Sequence, residues 1–145
     1  MADIRKITPK ISVAPQICVE DVKEIAAAGY RTIMNNRPDG EAPDQPPSSV
    51  IEAEARANNI DYIYLPIVSS NITPKNIEDF GKILSEAKEP ILAFCRTGTR
   101  CTNMWALAEA GNCGTDELLK AASEAGYDLR GLAPTLNALG AQRKS

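Results

Sequence analysis

The sequence predicts an α/β chain with a mostly parallel central sheet of four to five strands flanked by helices. Three features carry that expectation. Short strand candidates alternate with helical stretches along the chain. One of them, IDYIYLPI at residues 60–67, is nearly continuous in apolar and aromatic residues, as a strand covered on both faces would be. Another, ILAF at 91–94, runs straight into the glycine-containing stretch FCRTGTRC.

In chain order, ISVAP at 11–15 reads as an edge strand. Val19, Val22, Ile25 and Ala26 then mark one face of a helix, with Glu20 and Asp21 in its first turn and Gly29 as its stop. RTIMN at 31–35 is the next strand, and RPDG at 37–40 fits a type I turn. Ser49 and Glu52 supply a capping box for a helix running to about Asn58. After the strand at 60–67, Thr73-Pro74 sets an N-cap followed by proline at the first helical position. Ile77, Phe80, Ile83, Leu84 and Ala87 continue that helix until Glu89-Pro90 breaks it. ILAF is the central strand. Helices follow at 102–110, over TDELLKAASEAG and over LRGLAPTLNALG.

At 145 residues the chain fits one domain, 1–145, long enough to bury a real core. A net charge of -3 and an aromatic content of 5% argue against a nucleic-acid partner or a membrane-surface footprint. The first ten residues lack an apolar segment and no later run has membrane-spanning length, so a cytoplasmic location is expected. The absence of histidine removes Ser-His-Asp and Cys-His catalysis and histidine-ligated metals. Cys18, Cys95, Cys101 and Cys113 form no metal-binding pattern, and neither a metal nor another cofactor is expected. Cys18 and Cys113 read as packing or incidental residues, and Met104, Trp105 and Leu107 as the apolar face of a helix.

Chemistry concentrates in FCRTGTRC. A strand that feeds a glycine loop opening a helix converges backbone N–H groups on one point, and the helix terminus adds partial positive charge. Cys95 at the start of this loop would ionise readily and act as nucleophile. Gly98 permits the turn, and Arg100 with Arg96 offers guanidinium donors for an oxyanion. Thr97, Thr99 and Cys101 complete the candidate anion-binding set.

These residues, together with SVAPQI, EDVKEIAAAGYRTIMNNRPDGE and YIYLPIVSSNIT upstream, resemble the tyrosine-phosphatase-like superfamily. Within it they resemble the beta-lactamase-hydrolase-like protein, phosphatase-like domain family, over roughly residues 4–131. The resemblance implies a protein-tyrosine-phosphatase-like three-layer fold with its site at the strands' C-terminal ends. It implies Cys95 as nucleophile and Arg100 on the phosphate. Three departures stand out: Phe94 replaces the usual histidine, the Cys–Arg loop is one residue short, and the segment expected to carry a general acid reads Pro66-Ile67-Val68-Ser69-Ser70-Asn71, without a carboxylate. Ser69 and Ser70 are accessory candidates. Asp39 is either a substitute acid or a turn-forming residue, and Asn36 and Arg37 either contact substrate or tie down a turn.

The four-residue spacing between Cys95 and Arg100 is similar to the loop of rhodanese-type sulfurtransferases, in which a cysteine carries sulfane sulfur as a persulfide. A thiolate leaving group is already stable, so that chemistry needs no acid. The sequence therefore favours sulfur transfer or persulfide handling. The alternatives are hydrolysis of a phosphate ester through a cysteinyl-phosphate, and a weakly catalytic anion- or redox-sensing module. The expected partner is a small-molecule or protein substrate carrying an oxyanion or a sulfane sulfur, with a persulfide-oxidation enzyme as a further candidate. Cys101 would be an S–H donor to Cys95, a resolving thiol or a residue without a role.

Overall fold

The computed structural model describes residues 2–144. Its elements are β1 (Arg5–Lys6), β2 (Ile11–Ala14), α1 (Asp21–Ala27), β3 (Thr32–Asn35), α2 (Ser48–Ala57), β4 (Asp61–Tyr64), α3 (Pro74–Glu86), β5 (Ile91–Phe94), α4 (Thr99–Glu109), α5 (Thr115–Glu124), a 3₁₀ turn (Arg130–Leu132) and α6 (Ala133–Lys144). The sheet runs β1-β2-β5-β3-β4, with β1 antiparallel to β2 and the other pairings parallel. The expected α/β class and the central place of ILAF are both observed.

Alternation along β5 divides the interior. Ile91, Ala93 and Cys95 join one cluster with Phe80 and Leu84 of α3, Cys101, Met104 and Trp105 of α4, and Leu118 of α5. Leu92 and Phe94 face the other way, against Val22 and Ile25 of α1 and Ile51 and Ala55 of α2. The three-layer arrangement follows, because each face of the sheet needs its own helical cover.

Several boundaries differ from expectation. β2 is an interior strand, fully buried, and the edge belongs to β1, whose two exposed basic residues carry no apolar pattern. β4 is the opposite edge; it stops at Tyr64 and alternates in burial instead of being covered on both faces. α2 starts at Ser48 with Pro47 at the N-cap, so the Ser49–Glu52 capping box does not form; Glu52 pairs with Arg56 at 2.9 Å instead. The turn after β3 falls on Asp39-Gly40, one residue later than RPDG suggests, with Gly40 at φ 81. α4 begins three residues early, at Thr99. The Thr73 cap forms as expected, its hydroxyl accepting from the Asn76 N–H while the Asn76 side chain accepts from the Thr73 N–H.

The parallel pairings continue past the strand ends and fix the loops that follow. Cys95 N–H donates to Ala14 O, Asn36 N–H to Phe94 O, Gln16 N–H to Arg96 O and Ile67 N–H to Asn36 O. Four loops are thereby gathered at one end of the sheet, where β5 lies between β2 and β3 and the connections diverge.

Candidate functional site

Cys95 is buried at the tip of β5, and the chain turns back over its sulfur to start α4. Gly98, the N-cap of α4, takes φ 91, a left-handed conformation that glycine adopts without penalty. A Cβ there would also overlap the Tyr127 hydroxyl. The Gly98 N–H donates to Cys95 Sγ at 3.1 Å, and the Thr102 hydroxyl donates to Gly98 O at 2.8 Å, closing the turn from the helix side.

Cys95 is held at a pKa of about 6, against 9.0 for an ordinary thiol. The largest cause is the Cys101 thiol, which donates to Cys95 Sγ. Burial opposes the shift, and the N–H groups of Cys101, Thr97 and Gly98 reinforce it. Cys101 moves the other way: complete burial, then the neighbouring Cys95, push its thiol well above the ordinary value and keep it protonated. The thiols of Cys18 and Cys113 are also pushed up, the first mainly by the Asp21 carboxylate it donates to and the second by burial. Cys95 is the one cysteine of the four held below its ordinary value.

Arg100 folds back under the loop. One terminal nitrogen donates to Ile67 O (2.9 Å), Asn36 O (3.2 Å) and Glu41 Oε2 (3.0 Å), and the other donates to Glu41 Oε1 (3.1 Å). Its Nε is buried without a hydrogen-bond partner among the described residues. Glu41 also accepts from Arg37 Nε at 3.0 Å. Burial works against its charge, yet the bonds from Arg100 and Arg37 prevail and hold the carboxyl below its ordinary range. Charge alone in the sequence did not single out Glu41. It sits in a proline-rich loop, and only the fold brings it beneath Arg100.

A cavity of about 320 Å³ opens over the sulfur, lined by Ser69, Ile72, Cys95, Arg96, Thr97, Thr99, Arg100 and Asn103. Five of the seven loop candidates are therefore at the cavity, while Gly98 and Cys101 support Cys95 from behind. Of the accessory candidates, Ser69 lines it. Ser70 is exposed in the same turn and does not. Asn36 is fully buried and ties Leu65 O to the sheet through its amide. Arg37 is buried behind Glu41, donating to Glu41 and to Gln16 Oε1. Asp39 stands outside the cavity; its carboxylate accepts from the Ser48 N–H at 2.8 Å and so caps α2. Nothing in the sequence singles out Asn103 or Tyr127. The first follows from α4 starting early. The second lies 30 residues from the Thr97 carbonyl to which its hydroxyl donates at 3.2 Å, with the Arg5 guanidinium over its ring. Among the described residues no group of three or more Cys, Asp or Glu side chains is placed to hold a metal ion, and no helix is long and apolar enough to cross a membrane.

With this geometry in view, the relatives are informative. The family model of the beta-lactamase hydrolase-like protein, phosphatase-like domain, matches residues 3–112. Beta-lactamase hydrolase-like proteins of Agrobacterium fabrum and Xylella fastidiosa (strain Temecula1) are 34% and 31% identical over 105 and 125 residues, which is 72% and 85% of this chain. These matches span only 24% and 29% of those longer proteins. The crystal structure of a presumed phosphatase from Neisseria meningitidis Z2491 superposes with a TM-score of 0.85 at 30% identity, covering 94% of this chain and 97% of that one. Pseudomonas aeruginosa TpbA, in its complex with pTyr, shares the fold at a TM-score of 0.69 and 13% identity, covering 99% of this chain and 91% of that one. These likenesses support the phosphatase alternative better than the sulfur-transfer reading that the loop spacing favours.

Proposed function

This chain belongs to the beta-lactamase hydrolase-like protein, phosphatase-like domain family, and from that premise we propose that it hydrolyses phosphate monoesters through a cysteinyl-phosphate. Cys95 is the nucleophile: near neutral pH a thiol with a pKa of about 6 is mostly thiolate. The thiolate attacks phosphorus, the P–O bond to the leaving group breaks, and a water then cleaves the S–P bond and returns the electron pair to sulfur. Arg100 is the oxyanion clamp. Its terminal nitrogens are tied to Glu41 and two carbonyls, and its Nε is buried without a hydrogen-bond partner among the described residues.

The observation that carries this reading is the pairing of a stabilised Cys95 thiolate with a pre-positioned guanidinium on a phosphatase-like fold. The Arg37–Glu41–Arg100 brace suits a multiply charged group such as a phosphoryl dianion. The test is a paired assay on the purified chain and its Cys95→Ser and Arg100→Ala variants. Phosphate release from p-nitrophenyl phosphate should depend on both residues, with each loss on the order of 10²-fold or more. Formation of thiocyanate from thiosulfate and cyanide, without phosphate release, would replace hydrolysis by sulfur transfer.

A further inference from the structure

Proton supply around Cys95 constrains the substrate of this site. Every side chain lining the cavity other than Cys95 is apolar (Ile72), a hydroxyl or amide (Ser69, Thr97, Thr99, Asn103) or a guanidinium (Arg96, Arg100). Hydroxyls, amides and guanidinium groups can hydrogen-bond to a departing oxygen, but they do not surrender a proton to it at neutral pH. The nearby carboxylates are committed elsewhere. Glu41 uses both oxygens to accept from Arg100 and one of them also from Arg37, and Asp39 caps α2 outside the cavity. The Cys101 thiol is protonated but fully buried, donates to Cys95 and does not line the cavity. Tyr127 spends its hydroxyl proton on Thr97 O. Arg96, by contrast, is exposed at the cavity, and among the described residues no hydrogen bond or ion pair holds its guanidinium.

Resting on the phosphatase reading above, we infer that the substrate class is a phosphoryl compound whose leaving group departs as a stable anion without being protonated: an acyl phosphate, a phosphoanhydride or the ester of an acidic hydroxyl. Arg96 is the group that meets the departing negative charge. In the first step the Cys95 Sγ–P bond forms as the P–O bond breaks, and the leaving oxygen keeps the electron pair and carries it away as an anion. In the second step water attacks phosphorus, the S–P bond breaks with its pair returning to Sγ, and the proton lost by water is taken up by a phosphate oxygen. Both steps balance without an acid or base supplied by the protein. A simple alkyl phosphate fails at the first, because an unprotonated alkoxide is too poor a leaving group, and general-acid help of roughly 10²–10⁴-fold is forgone.

The experiment measures kcat/KM, which reports the first step, for a series of aryl phosphates of graded phenol acidity, for acetyl phosphate and inorganic pyrophosphate, and for an alkyl phosphate. kcat/KM should fall steeply as the leaving group becomes more basic. The alkyl phosphate should lie about 10²-fold or more below the most acidic aryl phosphate. Arg96→Ala should steepen that dependence and Arg96→Lys restore most of it; a uniform drop at unchanged slope would remove Arg96 from the leaving-group side. Comparable turnover of alkyl and aryl phosphates, with Cys95 still required, would overturn the inference while leaving the phosphatase reading intact. No Cys95-dependent phosphate release from any member, acetyl phosphate included, would overturn both.

Discussion

At the scale of single residues the site depends on two pairs. In the first, Cys101 donates to Cys95 and is the largest cause of its acidity. Cys101→Ala should move the midpoint of Cys95 alkylation upward from about 6, while Cys101→Ser, which keeps a donor, should move it less. Iodoacetamide reaction followed over pH reads this directly, and an unmoved midpoint in the alanine variant would contradict it. In the second pair, Glu41 fixes Arg100. Glu41→Gln removes the charge that holds the guanidinium in place, and should weaken oxyanion binding by about tenfold, read as a rise in KM or in the inhibition constant of inorganic phosphate. Cys95, Arg96, Gly98 and Arg100 were legible in the sequence because they share one short motif whose chemistry is local. Glu41, Asn103 and Tyr127 were not. Asn103 reaches the cavity because α4 starts early, whereas Glu41 and Tyr127 join the site only after chain segments 59 and 30 residues apart are brought together.

At the scale of elements the decisive unit is β5, its loop and α4. Gly98 must hold φ 91 and pass beside Tyr127, so Gly98→Ala is both strained and crowded. It should destabilise the protein by about 1–3 kcal/mol and raise the Cys95 pKa by displacing an N–H donor. Thermal unfolding and the alkylation profile would report the two effects separately. The start of α4 is set by the turn and not by helix-forming residues. A threonine, an arginine and a cysteine at 99–101 carry no helical signature of their own, and it is the glycine turn that launches the helix. At β4 the apolar run suggests a strand covered on both faces, whereas only Tyr62 is buried in it. Those residues are apolar because Tyr62 packs against α2 while Leu65 and Ile67 support the loop beneath Arg100. β1 had no apolar pattern to find, since an edge strand of two basic residues is defined only by its partner.

For the whole molecule, the class and the mostly parallel pairing are legible in the alternation of strand and helix, which two separately covered sheet faces demand, and ILAF reads as a central strand, whereas the strand order is not legible. The buried thiolate also links the site to global stability. Cys95 titrates near 6 when folded and near 9 when unfolded, so between these values the unfolded chain binds the extra proton and stability rises with pH. This contribution is full above about pH 9 and lost as pH falls through about 6. Denaturant titrations at several pH values should show a smaller rise over that window in Cys95→Ala than in the wild type; an identical rise would mean that the thiolate is not favoured by the fold. The loop spacing alone pointed to sulfur chemistry, because an unfolded motif shows neither the brace on Arg100 nor the fold around it. The most direct test of the central claim is acid quenching during turnover with an aryl phosphate, followed by mass spectrometry of the Cys95 peptide. One phosphoryl group is expected on Cys95, absent in Cys95→Ser. An unmodified cysteine under these conditions, together with an added sulfur atom after exposure to thiosulfate, would contradict it.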